Sequence, residues 1–277
     1  MKRLVLIPLL LFVLLAPSWS AAMDLNTILM RSTFRIAGDN ALGTIFIMGR
    51  PVEKDPSKLA FVLITAAHVL EDMKGSQAVL FLRKEVDGLF QKLPLTLEIR
   101  DGDKPLWTKH PKADVAVMYV SIPKEADIQL LPIDLLASDA TLTEFEIHPG
   151  DALSCLGYPY GAEANDAGFP ILRSGQIASY PLTPSSKYPT FLFDFRVFGG
   201  NSGGPVFFIA SNRTYGGATK LGTTIQFVAG LVSQEQMIEE EVKSLTETRK
   251  MKHALSLAVV VKASLIKEAI ELLPPAR

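Results

Sequence analysis

The sequence is short of almost everything that would tie a chain down covalently or through a metal. It has one cysteine, Cys155, so no internal disulfide can form. Neither a CxxC nor an HExxH pattern occurs, which removes the familiar zinc signatures as well. Charge of one sign is also missing: 28 basic residues stand against 29 acidic ones, a net of −1. No basic stripe is available to neutralise phosphates, so nucleic acid is not an expected partner. Neither a metal nor a cofactor is expected. Long apolar runs are lacking too, with one partial exception from Leu4 to Leu15. That run, interrupted by Pro8, is about 12 residues long against the roughly 20 needed to span a bilayer.

The exception has its own meaning. Lys2 and Arg3 precede it, and Ser18, Trp19, Ser20, Ala21 and Ala22 follow with the small residues that a signal peptidase requires. Residues 1–22 therefore read as a secretory signal peptide cut after Ser20 or after Ala22. No cysteine follows the run, which excludes lipid attachment. Loss of Lys2 and Arg3 leaves 26 basic residues against 29 acidic ones, or −3. The expectation is a soluble mature chain, secreted or periplasmic, with no membrane contact once the leader is gone.

What is present is apolar sequence in short pieces: 48% of the residues are hydrophobic. The runs are Thr44 to Met48, Phe61 to Thr65, Ala78 to Arg83, Leu93 to Ile99, Val115 to Val120 and Ala152 to Leu156. They continue with Ile171 to Tyr180, Phe191 to Phe195, Pro205 to Ile209, Ile225 to Ser233 and Ser256 to Lys262. Clusters of Gly, Pro, Asp and Ser bound them, the pattern of an all-β barrel or sandwich. Residues 123–150 carry weak strand signals and several breakers, which marks them as the linker between two halves. Residues 263–273 predict a helix, with Leu265, Ile266, Ala269, Ile270 and Leu273 on one face and Pro274 and Pro275 ending it. The charge-rich stretch from Gln234 to Lys252 reads as a solvated insertion, a loop or a short helix.

The chemistry concentrates in Gly199-Gly200-Asn201-Ser202-Gly203-Gly204-Pro205. A serine attacks a carbonyl only if a base takes its proton, and the developing oxyanion needs donors. Glycines beside Ser202 let backbone N–H groups converge on its oxygen. Ser202 is the candidate nucleophile, with the amides of Gly200 and Ser202 as the oxyanion hole. The bland alternative is a glycine-rich hairpin with an incidental serine. Of four histidines, His68 closes the apolar run Leu63-Ile64-Thr65-Ala66-Ala67, where an imidazole at a strand end can reach a neighbouring site. Asp114 heads the run Val115 to Val120. It is either a turn-capping aspartate or the carboxylate that holds a catalytic histidine. The order His, Asp, Ser makes coincidence of all three the weaker reading.

At Thr65-Ala66-Ala67-His68, Ala113-Asp114-Val115-Ala116-Val117, Gly157-Tyr158-Pro159 and Gly200-Asn201-Ser202-Gly203-Gly204-Pro205, the chain resembles the trypsin-like, chymotrypsin-fold serine peptidases. The bacterial HtrA/Deg-like branch is the nearest within them. The resemblance covers about Ser32 to Leu273. It implies two six-stranded antiparallel β-barrels, about 32–122 and 151–262, followed by a short C-terminal α-helix, all within a peptidase domain over 23–277. The catalytic triad would be His68, Asp114 and Ser202, in the cleft between the barrels. Peptide bonds of protein or peptide substrates would be hydrolysed through an acyl-enzyme, without a cofactor. The few residues after Lys262 leave no room for the PDZ domain that many HtrA-like proteins carry. By the same resemblance, Arg196, Val197 and Phe198 would wall the pocket for the residue before the cut. Ser233, Gln234 and Glu235 would offer backbone to an extended substrate. Arg196 could face that pocket and favour acidic residues or point outward, and outward is preferred.

Alternatives remain. Gly200-x-Ser202-x-Gly204 also fits the nucleophile elbow of α/β-hydrolases, but that fold needs a helix after the serine, and Val206 to Ile209 reads as a strand. Asn201 is neutral where digestive relatives have an aspartate that pairs with a freed N-terminus, which argues against activation by cleavage. Asp194 is assigned a structural hydrogen bond, and Cys155 the part of a small buried hydrophobe. The scaffold could also serve as a binding or regulatory module whose triad is latent, with the charged insertion as cover, or as an esterase.

Overall fold

The computed structural model describes residues 24–39, 41–243 and 248–276. The stretch read as a leader, residues 1–22, lies outside the described residues. Twelve strands carry the fold. The first six are β1 (Thr33–Gly38), β2 (Ala41–Val52), β3 (Asp55–Thr65), β4 (Gln77–Val86), β5 (Leu89–Glu98) and β6 (Ala116–Tyr119). The other six are β7 (Ala152–Gly157), β8 (Ile171–Gln176), β9 (Thr190–Asp194), β10 (Pro205–Ser211), β11 (Thr224–Lys243) and β12 (Thr248–Lys262). Four helices accompany them: α1 (Leu25–Ser32), α2 (Ala67–Asp72), α3 (Asp139–Glu144) and α4 (Ala263–Glu271).

The long strands divide into two antiparallel sheets, ordered β5-β4-β1-β2-β3-β6 and β8-β7-β10-β11-β12-β9. Two short pieces extend the first: Thr108–Lys109 beside β6, and Leu131–Pro132, which runs parallel to β2. In the second sheet, Ile177 just after β8 bridges to Phe193 of β9, so the two outer strands meet and the sheet closes. Closure removes the open edges that a flat sheet would leave. The all-β fold expected from the sequence is the fold observed, with the short helix at its C-terminal end.

Local sequence explains the elements. In β4, Ala78, Leu80 and Leu82 are buried while Gln77, Val79 and Phe81 between them are not, the period of a strand with one face on the core. Asp87 and Gly88 join β4 to β5, both at positive φ, 53° and 76°. That is the two-residue turn whose twist suits a hairpin. Pro94 is tolerated in β5 because β5 is an edge strand. In β2, every residue from Gly43 to Gly49 is buried, as befits a strand covered on both faces. Asp24 caps α1 by accepting from the Thr27 N–H at 3.1 Å. The linker of residues 123–150 ties the sheets together: Leu131 pairs with Met48, and the Ala137 N–H reaches the Val228 carbonyl at 2.9 Å.

One difference from the sequence reading stands out. The stretch from Gln234 to Lys252 is neither loop nor short helix where it is described. It is a two-stranded arm in which β11 and β12 run on past their neighbours. Glu239 lies opposite Lys252 and Glu241 opposite Lys250, so the charge density that suggested a solvated insertion is cross-strand pairing.

The apolar core is continuous through both sheets. A buried arginine crosses it. Arg83 of β4 has no exposed surface, and its guanidinium lies between the rings of Phe34 and Phe169 at 4.4 and 4.2 Å. It donates to the carbonyls of Met30, Thr33 and Gly168 at 2.8, 3.1 and 2.9 Å, and to the Tyr158 hydroxyl at 3.4 Å. One side chain thus fixes α1, β1 and both ends of the loop between β7 and β8. Arg83→Met fills similar space but strands those carbonyls. Loss of one charged donor with several acceptors is expected to cost about 3 kcal/mol or more. At this chain length that is a fall of roughly 6–12 °C in unfolding temperature. A calorimetric change below about 2 °C would contradict this account of Arg83.

Candidate active site

His68 stands in the first turn of α2, directly after β3 ends at Thr65. The small Ala66 and Ala67, both fully buried, let the chain turn tightly there. Asp114 is presented by a turn before β6. Inside that turn the buried His110 accepts from the N–H groups of Lys112 and Ala113 at 3.2 and 3.0 Å, through Nδ1. The carboxylate of Asp114 is saturated with donors. Its Oδ1 accepts from the His68 backbone N–H at 3.0 Å, and its Oδ2 accepts from His68 Nδ1 at 2.7 Å and from Ser233 Oγ at 2.6 Å.

These contacts set the charges. Burial alone would raise the pKa of Asp114, but the hydrogen bonds from His68 and Ser233 and the nearby imidazole outweigh it and hold the value down at about 2. For His68, burial works to lower the pKa. The Asp114 hydrogen bond and charge, with Asp72 and Glu71 behind them, more than compensate and lift it above the ordinary 6.5. With its Nδ1 proton held by the carboxylate, His68 keeps Nε2 as the basic nitrogen.

Ser202 lies on the loop between β9 and β10, and that loop is clamped to the other sheet by Thr44 of β2. The Thr44 N–H donates to the Ser202 carbonyl at 2.9 Å, and its Oγ1 donates to the Gly200 carbonyl at 2.7 Å. Thr65 Oγ1 in turn donates to the Thr44 carbonyl at 2.8 Å. The approach is so close that only glycine fits at two points. Gly200 (φ 95°) would bring a Cβ against the Tyr158 carbonyl oxygen, and Gly203 (φ 86°) would bring one against the Thr44 carbonyl oxygen.

Two peptide planes in this loop are pinned by their carbonyls: Gly199 O accepts from the Tyr160 N–H at 2.6 Å and Asn201 O from the Gly204 N–H at 3.0 Å. In a planar trans peptide the N–H points opposite to the C=O. The amides of Gly200 and Ser202 are therefore turned away from those contacts, and neither has a protein acceptor among the described residues. The Ser202 hydroxyl itself donates to the Ser233 carbonyl at 3.0 Å, and no hydrogen bond joins it to His68. Four residues form one connected group: His68 to Asp114 and Asp114 to Ser233 through side chains, and Ser202 to Ser233 through the Ser233 backbone carbonyl.

Two cavities flank His68. One of about 410 Å³ is bordered by His68, Gly200 and Ser202, with Leu42 and Asp72. The other, about 570 Å³, is bordered by His68, Asp114, Ser233 and Gln234, with Thr190 and Val261. Of the residues expected near substrate, Ser233 and Gln234 line the second cavity. Glu235 follows on β11, half-buried. Arg196, Val197 and Phe198 line neither. Arg196 is exposed and lies over the Phe198 ring at 5.2 Å, whereas Val197 is buried. Asp194 is exposed at the end of β9, paired in register with Leu257. Cys155 is fully buried and its thiol is pushed up to about 12, so it is no nucleophile.

Thr44 and Thr65 escaped the sequence reading, as did the hydroxyl of Ser233. Each is a lone hydroxyl within an otherwise apolar buried strand, where an unpaired oxygen is costly and a partner is implied. That was the available signal, though it names no partner.

A family model for the trypsin-like peptidase domain matches residues 40–216, more than half of the chain. No curated protein matches. Among solved structures, an inactive mutant form of Rv3671c from M. tuberculosis is 15% identical and covers 91% of this chain and 94% of that one, with a TM-score of 0.44. The protease Anisep from Arthrobacter nicotinovorans is 13% identical, with coverage of 86% and 93% and a TM-score of 0.46. The thermostable serine protease AL20 from an extremophilic microorganism is 13% identical, with coverage of 87% and 95% and a TM-score of 0.45. By its matched domain, its two antiparallel sheets and the loop that carries Ser202 between them, the chain belongs to the family of trypsin-like peptidase domains.

Proposed function

We propose that the chain is an exported serine endopeptidase, secreted or periplasmic, acting on protein or peptide substrates through an acyl-enzyme. The observation that carries this reading is the connected group of His68, Asp114, Ser233 and Ser202 beside two outward-turned amides on one cavity. His68 Nε2 takes the Ser202 proton as Oγ attacks the peptide carbonyl. The amides of Gly200 and Ser202 hold the oxyanion, and His68 returns the proton to the leaving amine. Water then opens the acyl-enzyme by the same steps, so no cofactor takes part. Asp114, ionised at all working pH, orients the imidazole and stabilises it when charged. Export rests on the pattern of residues 1–22.

The hydrogen bond from Ser202 to the Ser233 carbonyl favours a second reading, in which the triad is latent and the chain serves as a binding or regulatory module. A magnitude weighs against it. A hydroxyl to carbonyl bond contributes only about 1 kcal/mol net, so rotating Oγ toward His68 is cheap. The backbone N–H of a substrate laid along Ser233 would compete for the same carbonyl and release the hydroxyl.

Ser202→Ala is expected to lower casein cleavage by about 10⁶-fold and to abolish labelling by a fluorophosphonate. A wild-type chain that neither takes the label nor cleaves casein would favour the latent module, and an active Ser202→Ala would remove the nucleophile assignment.

The pH profile offers an independent check. The base must be neutral, so kcat/KM should be present above the pKa of His68 and lost as pH falls through it. That midpoint should lie above 6.5. In Asp114→Asn the charge and carboxylate hydrogen bond that lift it most are lost while burial remains, against only the more distant Asp72 and Glu71, so the midpoint should move down. The rate at neutral pH should fall by about 10⁴-fold, since the imidazole loses its tautomer control. An identical midpoint in both proteins would show that His68 is not the titrating base.

A further inference from the structure

The arm formed by β11 and β12 carries an unused sheet edge that starts at the nucleophile. β11 pairs with β10 as far as Leu231. The contact continues for one more residue, with Val232 exchanging hydrogen bonds with Gly203 and Gly204 at 2.7 and 2.9 Å. Next comes Ser233, whose carbonyl receives the Ser202 hydroxyl. All of these contacts lie on the side of β11 away from β12. Beyond Ser233 that side has no strand against it among the described residues, while the β12 side stays paired out to the end of the arm. From Gln234 to Glu240 the free edge spans about 23 Å at roughly 3.3 Å per residue.

Three properties make this edge a binding surface. A two-stranded ribbon is marginal alone and gains from a third strand. Met237 and Ile238, 42% and 47% exposed, project to opposite faces next to the edge, so alternate side chains of an added strand would each meet an apolar partner. The ribbon is also braced from within: Lys252 reaches Glu239 at 3.5 Å and His253 reaches Glu240 at 2.9 Å. Two register shifts, between Val232 and Gln234 and between Glu235 and Met237, raise the twist and re-aim the strand just where it leaves the barrel.

We propose that the free edge of β11 from Gln234 through Glu240 binds the unfolded substrate chain upstream of the scissile bond as an antiparallel third strand. The bound stretch reaches well beyond what Ser233 to Glu235 alone would hold. Continuity with Ser233 selects this occupant over others, because a chain already paired there meets the rest of the edge next. The proposal rests on the peptidase reading and adds a preference for long, extended substrates with apolar residues opposite Met237 and Ile238.

The test uses quenched peptides that share one cleavable core and carry three, six or nine residues upstream of the cut. With the mature wild-type chain, kcat/KM should rise about tenfold from three to nine residues. Backbone N-methylation at successive upstream positions beyond the third should cost about fivefold at every second position and little between, because only alternate N–H groups face the edge. Replacing Glu239–Lys252 by Asn-Gly shortens the arm with a compatible turn at the Ile238–His253 pair and should bring turnover of the nine-residue peptide down to that of the six-residue one. Affinity of the same peptides for Ser202→Ala, read by fluorescence anisotropy, should follow the same length order. A flat length response in an active enzyme, or N-methyl losses without alternation, overturns the proposal. So does a shortened arm that speeds cleavage of the three-residue peptide, which would make the arm a cover. A concentration-dependent dimer that vanishes with the arm would assign the edge to a second copy and overturn it as well. Cleavage of no peptide at all, with no binding to Ser202→Ala, instead sinks the peptidase reading on which it rests.

Discussion

The contact on which the cleft depends is the one between Thr44 and the loop of Gly200 to Ser202. A loop rich in glycine has little conformational preference of its own, so something outside it must fix its peptide planes. Thr44 does this with both its backbone N–H and its hydroxyl, from a strand of the opposite sheet, and Thr65 holds Thr44 in place. The arrangement explains why Ser202 sits at the seam. Only there can one sheet supply the loop of Ser202 while the other supplies its backing, His68 and Asp114. Gly203 is glycine for the same reason, since any side chain would push the loop off Thr44.

The electrostatics repeat that logic. Asp114 comes from the first sheet, yet one of its three donors, Ser233, belongs to β11 of the second. The carboxylate is thus satisfied only when the halves are docked. A half-buried anion short of one donor still carries a desolvation cost, which makes the docked geometry the favoured one and couples the charge state of His68 to the packing of the two sheets.

Much of the fold was legible in the sequence because burial on one face writes alternation into a strand. Eleven of the twelve long strands contain a run recognised by its apolar pattern. The exception, β1, mixes Thr33, Arg35 and Gly38 with Phe34 and Ile36 over a short span, and its Arg35 carries a guanidinium that lies over the Phe81 ring at 3.8 Å. The arm was misread because alternation fails where neither face is buried. Its order comes from register, Glu239 against Lys252 and Glu241 against Lys250, and register is a relation between distant residues. At the site, residue types with distinctive chemistry announced themselves: His68, Asp114 and Ser202 each interrupt an apolar or glycine pattern. Thr44 and Ser233 did not, since a hydroxyl in a strand says that it has a partner without saying which. Arg83 was silent for the same reason.

The hold of Arg83 on Met30 and Thr33 makes α1 part of the cleft's support, through Tyr158, whose hydroxyl Arg83 reaches and whose backbone N–H donates to Thr44 Oγ1. Asp24, which caps α1, is therefore a remote support of the cleft: a truncation that removed it would fray α1 and loosen the carbonyls of Met30 and Thr33 that Arg83 grips.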